Sequence, residues 1–402
     1  MAFRAYRAYN LMDRLRRVRH DDRGFSLVFV GLGFLAMLSA SMLAIDVGMF
    51  MNARAQAQNA ADAGAHAGAT ALAFNSFTDH SANGPAVRGA INAAQTNLVA
   101  GVAPSVLPED VTFPFNATTG QFDQVQVHVY RTGARGNPLD TLIGQFFNNP
   151  KADIGAVATA TAAPANAEDC VLPFTIPDKW IDKNCAAPPC QWQPDSTFDA
   201  YDKSHNPIPN PDIYVPPGSK EATGYSPITD KGLQLVLKSN NQSKTAPSFY
   251  NPWDLPGSVG GDDYRDNIGG CNSHLAEIGD DMTPENGNMV GPTKEGTDML
   301  IAQDPNAYWN TSCNCVKGSD PKYGTSPRIR VLPLYDPMIY ETGQQTGKSG
   351  PQLKIVNYLG FFVEGVTGAG QVTGRITPIS GKVSGTGTPP VGAFPMAILI
   401  VK

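Results

Sequence analysis

The chain has no charged side chain from Gly24 to Ile45, no proline from Gly24 to Phe74, and no cysteine before Cys170. Each gap excludes something. An uncharged run of about 22 residues does not suit the surface of a soluble domain, and it is long enough to cross the ~30 Å hydrocarbon core as a helix. With no proline to interrupt it, the Ala-, Gln- and Asn-rich stretch after Asp46 should carry that helix straight out of the bilayer. Catalytic signatures are missing too. There is no G-x-S-x-G elbow, and the six histidines form no H-E-x-x-H pair. The net charge is −6, yet the first 23 residues hold seven arginines against three aspartates. The remainder therefore carries about −10, which argues against nucleic acid as a partner.

Those seven arginines (Arg4, Arg7, Arg14, Arg16, Arg17, Arg19 and Arg23) face only Asp13, Asp21 and Asp22. Such a bias holds a flank on the cytoplasmic side. The expected layout is a basic tail over 1–23, where anionic lipid headgroups are the partner, a transmembrane helix over 24–45, and translocation of everything beyond Asp46. Conventional signal cleavage is the competing reading. Its best small-residue site is Ser39-Ala40-Ser41, but the basic region and the apolar run are both long for a signal peptide.

All six cysteines (Cys170, Cys185, Cys190, Cys271, Cys313 and Cys315) lie beyond the apolar run. An even count on the translocated side points to disulfides in an oxidising compartment, with fifteen possible pairings. Cys313 and Cys315 stand too close in sequence to bond easily, so each is expected to staple a distant loop. Zinc is the lesser reading, because C-x-C is not a zinc knuckle and His274 is the only histidine nearby.

Small residues mark the long helix. Ala36, Ala40 and Ala44 recur every fourth residue within the apolar run, near Gly31, Gly33, Ser39 and Ser41. Beyond Asp46, Ala53, Ala57, Ala61, Ala65, Ala69 and Ala73 continue the spacing beside Ala60, Gly64 and Gly68. On a 3.6-residue helix these positions form a smooth seam that gains stability only by close approach to another surface. That surface is either the protein's own ectodomain or another subunit.

The run R-G-F-S-L, the apolar span, A-I-D-V-G at 44–48, R-A-Q-A-Q-N-A-A-D-A at 54–63 and G-A-T-A-L at 68–72 together resemble the N-terminal region of TadE/TadG-like Flp pilus-assembly proteins of the tight-adherence system. L-I-G-Q-F-F at 142–147 and A-V-A-T-A-T-A at 156–162 are similar to the strand and helix region beyond the long helix in that family. The resemblance implies a bacterial inner-membrane protein, minor pilin-like or an assembly factor. Its partners would be the lipid bilayer and other pilus subunits or inner-membrane assembly proteins. It also implies a possible processing site at Gly24-Phe25. Cleaved prepilins carry glutamate at the fifth mature position, and here that position is Phe29. A permanent anchor is therefore expected rather than a bulk polymer subunit. Some related proteins carry a von Willebrand A-type domain, whose D-x-S-x-S metal signature is missing here.

The fold class expected is α+β: a pilin-like membrane-proximal unit over 46–165, then a β-rich, disulfide-braced domain over 166–402. A helix is predicted over 85–101, with Val87, Ile91, Ala94 and Leu98 on one side. Strands are predicted at 111–113, at 125–129 and at 154–162, with a short helix at 139–147. Residues 162–168 read as a linker, and residues 180–225 as loops. Further strands are expected at 233–237, 328–334, 353–364, 372–379 and 396–401.

Two apparent motifs are discounted. Gly343 to Ser349 has three residues between its glycines, one short of a phosphate loop, and reads as a turn. Gly261 to Asn267 can offer oxygen ligands to calcium near Asp262–Asp266, but the same residues build polar turns. No cofactor, metal or catalytic residue is assigned. The leading function is a non-enzymatic pilus-assembly component. A secreted or surface binding protein is the alternative, and an anchored hydrolase with an unrecognised site comes third.

Overall fold

The computed structural model describes residues 23–401, except 76–77, 118, 186–187, 203–205, 241–244, 286, 288, 346–352 and 386–389. It opens with a single helix, α1 (Arg23–Phe74), and a shorter one, α2 (Pro85–Thr96). Strands β1 (Val111–Thr112), β2 (Gln124–Arg131), β3 (Leu139–Asp140), β4 (Lys151–Ala152) and β5 (Ile154–Pro164) come next. The distal region holds β6 (Ala167–Glu168), β7 (Phe174–Pro177), β8 (Gln234–Ser239), β9 (Phe249–Asp254), α3 (Gly260–Gly269), β10 (Ala276–Glu277) and β11 (Asp281–Pro284). It continues with α4 (Val290–Gln303), β12 (Tyr308–Asn310), β13 (Cys315–Lys317), β14 (Ile329–Tyr335), α5 (Pro337–Gln345), β15 (Leu353–Val366) and β16 (Val372–Thr377). The last strand is β17 (Met396–Val401).

The first unit is a four-stranded antiparallel sheet in the order β1-β2-β5-β17. Alternation of Val125, Val127 and Val129 with polar residues turns one face of β2 inward, and these three valines are fully buried. They pack with Ala158 and Ala160 against the second half of α1, with α2 alongside. The last strand joins here: Met396 to Val401 pair with Pro164 to Thr159. This sheet therefore joins strands from 111–164 with one from 396–401, whereas the sequence places residues 396–401 with the distal domain.

In the distal region six strands close into a ring, β14-β7-β9-β8-β16-β15 and back to β14. Closure removes the free edges of a sheet. The barrel interior is filled, not hollow: Phe174, Leu235, Tyr250, Leu334, Phe361 and Ile376 meet within it. Tyr264, Ile268 and Leu300 of α3 and α4 pack onto the same cluster. A second apolar layer, including Trp253, Tyr335, Ile355 and Tyr358, lies outside the barrel wall.

Several sequence expectations require correction. The helix predicted over 85–101 ends at Thr96; Asn97 leaves helical geometry and Leu98 is exposed. The short helix expected at 139–147 is instead the strand β3 followed by a single 3-10 turn, Gly144–Phe147. The expected linker at 162–168 is structural: Ala165, Ala167 and Glu168 are buried, and β6 pairs with β10. The acidic stretch near Asp262–Asp266 is the helix α3, where Arg265 bonds Asp262 at 2.8 Å and Asp266 at 2.9 Å. Gly343 to Gln345 close the helix α5; Thr346 to Ser349 lie outside the described residues.

Candidate membrane and assembly surface

The long helix changes character at Asp46. At 1.5 Å per residue its 52 residues span about 78 Å. From Phe25 to Ile45 every described side chain is exposed, including Phe25, Leu27, Phe29, Phe34, Leu35 and Met37. This half is long and apolar enough to cross a membrane. Ala36, Ala40 and Ala44 stand on it, exposed with their larger neighbours. Gly24 and Phe25 lie in its first turn.

Beyond Asp46 the small residues are used inside the chain. Ala57, Ala61 and Ala65 are buried, as are Ala53, Ala60 and Ala69. Gly64 and Gly68 set the approach distance to α2 and the sheet. A Cβ on Gly64 would stand 3.0 Å from the Ala90 carbonyl and 3.2 Å from Val127 Cγ1. One on Gly68 would come within 2.8 Å of Val125 Cγ1 and 3.1 Å of Ala90 Cβ. Of the two surfaces open to the seam, the structure shows it packed against α2 and the sheet of its own chain.

Asp46 itself is 2% exposed and marks the seam's beginning. Its carboxylate accepts the backbone N–H of Leu142 at 2.8 Å and of Ile143 at 2.7 Å. Those amides belong to the tip of the β3–β4 hairpin, across nearly a hundred residues of chain. The contact fastens the tip to the helix where its apolar half ends. Leu142 and Phe146 on that tip are 47% and 71% exposed. The sequence reading missed this junction. The available signal was an apolar L-I-G-Q-F-F segment followed by Asn148-Asn149-Pro150, turn residues that suit a hairpin tip better than a helix.

The distal region is organised by buried charge. Asp178, fully buried, accepts the N–H of Lys179 at 2.8 Å and of Tyr225 at 3.0 Å, with Tyr214 and Asn357 also donating. Burial pushes its carboxyl up to about 6, against the pull of those donors. Asp212 does similar work nearby, accepting from the backbones of Lys183, Asn184 and Asp199. Two carboxylates thus pin the Pro- and Asn-rich loops of 180–225. Arg328, 4% exposed, donates to the carbonyls of Asp304, Ala307, Val363 and Glu364, locking the β12–β13 hairpin against the barrel.

Three disulfides join Cys170 to Cys271, Cys185 to Cys190, and Cys313 to Cys315. The last pair overturns the expectation that each of its cysteines staples a distant loop. Asn314 takes φ +50°, folding the chain between them so that their Cα atoms stand 5.3 Å apart. Asp182 lies close to Cys185 and Cys190, but disulfide sulfurs are not thiolate ligands. Between the end of α1, β6 and the 313–316 turn runs a groove of about 830 Å³, lined in part by Thr70, Phe74, Glu168, Lys231 and Ser326. Glu168 is 2% exposed, and its Oε1 has no hydrogen-bond partner among the described residues.

Residues 24–71 match the Tad family model, Flp pilus-assembly TadE/G-like. The match ends three residues short of the end of α1 and covers none of the barrel. No curated protein and no solved structure matches the chain.

Proposed function

We propose that this protein is a membrane-anchored structural or assembly component of a Tad/Flp-type pilus or secretion apparatus. The reading makes it single-pass in the inner membrane of a bacterium, with the basic tail cytoplasmic and residues 46–402 extracytoplasmic. One observation carries it. The segment that matches the pilus-assembly family is a single helix, bare and apolar before Asp46 and packed within its own ectodomain after it. A long helix lying on an antiparallel sheet also supports the minor pilin-like description.

The division of the helix refines the partner surface. Ala57, Ala61, Ala65, Gly64 and Gly68 are occupied within the chain, so partner contacts fall to the apolar half and to the outer domain. Ala36, Ala40 and Ala44 allow a neighbouring membrane helix to approach closely. Phe29 in place of a carboxylate favours an anchor that remains uncleaved at Gly24-Phe25. The filled barrel supports a structural rather than a catalytic role for the distal domain.

Photo-crosslinking tests this directly. A photoreactive residue at Ala40 in intact membranes should yield adducts with another protein of the same apparatus. The same residue at Ala61 should yield only intrachain products. Adducts from Ala61 and none from Ala40 would reverse the assignment of the two halves.

A further inference from the structure

The hairpin tip fastened by Asp46 has no role in a purely helical anchor. We infer that it is a second membrane contact: Leu142 and Phe146 insert into the extracytoplasmic interface of the bilayer beside the point where α1 leaves it. The inference rests on α1 being the membrane span. Four observations place the tip there. Asp46 is the first charged residue after the apolar run, so it sits at the edge of the hydrocarbon region. Its carboxylate holds Leu142 and Ile143 by their amides, which fixes the tip at that depth. Leu142 and Phe146 of the tip face outward, at 47% and 71% exposure. On the helix just past Asp46, Val47 and Met51 are also exposed, at 46% and 72%. Exposed apolar side chains thus continue past the span, on the helix at Val47 and Met51 and on the tip at Leu142 and Phe146.

Water is a poor solvent for that surface, and the headgroup–acyl boundary is the adjacent phase that accepts it. The hairpin base offers the polar counterpart. Lys151 and Asp140 form an exposed ion pair on β3 and β4, suited to the aqueous side of the interface. A helix alone leaves its ectodomain free to swing about the exit point. A second contact on one side of the helix would fix tilt and rotation, so that the barrel is presented in a set direction.

Depth-dependent quenching in vesicles of phosphatidylcholine and phosphatidylglycerol tests the inference on the purified full-length chain. Phe146→Trp reports the tip and Leu35→Trp reports the span, each read as emission above that of the unsubstituted protein. Lipids brominated high on the acyl chain should quench most of the emission added at 146. Lipids brominated near the chain end should preferentially quench that added at 35. Quenching at 35 with none at 146 overturns the tip contact and leaves the anchor standing; the exposed tip would then be free for a protein partner. Quenching at neither position removes the span, and the inference falls with it. Because Phe146 is mostly exposed, tryptophan there leaves the fold intact, which the near-ultraviolet circular dichroism of the variant checks.

Discussion

Glu168 is a buried carboxylate whose Oε1 has no hydrogen-bond partner among the described residues. It lies between Ala167, buried in the sheet junction, and Asp169, which pairs with Lys382. Burial first, then the charge of Asp169, raise its carboxyl from 4.5 to about 9, with Lys382 pulling the other way. Below 4.5 the carboxyl is protonated in folded and unfolded chains alike, and the native state keeps its full stability. Between 4.5 and about 9 only the unfolded chain releases the proton, so stability falls as pH rises through this window. Glu168→Gln removes the proton equilibrium while keeping the shape. Thermal unfolding in detergent should show a flatter dependence on pH for the variant between about pH 5 and about pH 9. The slope is the readout, because a buried amide without a partner has its own desolvation cost at every pH. Parallel profiles would show that Glu168 ionises as an ordinary surface carboxylate does.

At the scale of elements, the long helix was legible because its signals are local. An uncharged run, a missing proline and an i, i+4 row of alanines lie side by side in the sequence. Strand alternation at Val125, Val127 and Val129 was equally plain. What the sequence concealed depends on distant partners. β7 and β9 are short and proline-containing, β7 buried throughout and β9 with two adjacent buried residues, so they lack the alternating pattern, yet without them the barrel does not close. The Cys313–Cys315 bond depends on a left-handed Asn314, and the hairpin tip on an acceptor at Asp46. Neither is visible in residue spacing. The seam illustrates the same limit: its existence was readable, its partner surface was not. That packing makes a direct prediction. Ala65→Leu forces extra carbons against α2 and the sheet, and overpacking of this kind costs about 1–3 kcal/mol. Ala55→Leu, on the exposed face of the same helix, should shift stability by less than about 0.5 kcal/mol. Chemical denaturation of the two variants in detergent separates the outcomes. Equal, small effects would mean that the seam is not closed against α2 and the sheet.

For the molecule as a whole, the consequential feature is that β17, reached after the barrel, returns to the sheet of β1, β2 and β5. The barrel closes on its own strands, none of them β17, whereas the β1-β2-β5 sheet has β17 as its edge. Met396 is tied to the barrel side as well: its carbonyl accepts from Gly381, and its amide donates to Ile379. β17 is therefore the strap that joins the barrel to the β1-β2-β5 sheet. Ending the chain after Ala397 keeps the Met396 contacts and removes the pairing of Ile398, Leu399, Ile400 and Val401 with Ala162 to Thr159. Hydrogen exchange on the shortened protein in detergent should show lost protection at those amides of 159–162 that face β17. Barrel amides such as those of Leu332 and Phe361 should keep theirs, because their partners in β15 and β14 are untouched. Loss of protection in both regions together would show that the two units fold as one cooperative body. Loss in neither would show that β5 is held by β2 and α1 alone, leaving β17 as a passenger on the sheet edge. The first outcome makes β17 a separable strap that fixes the barrel against the β1-β2-β5 sheet. A mutation in β17 could then disturb assembly while every disulfide and the whole barrel remain intact.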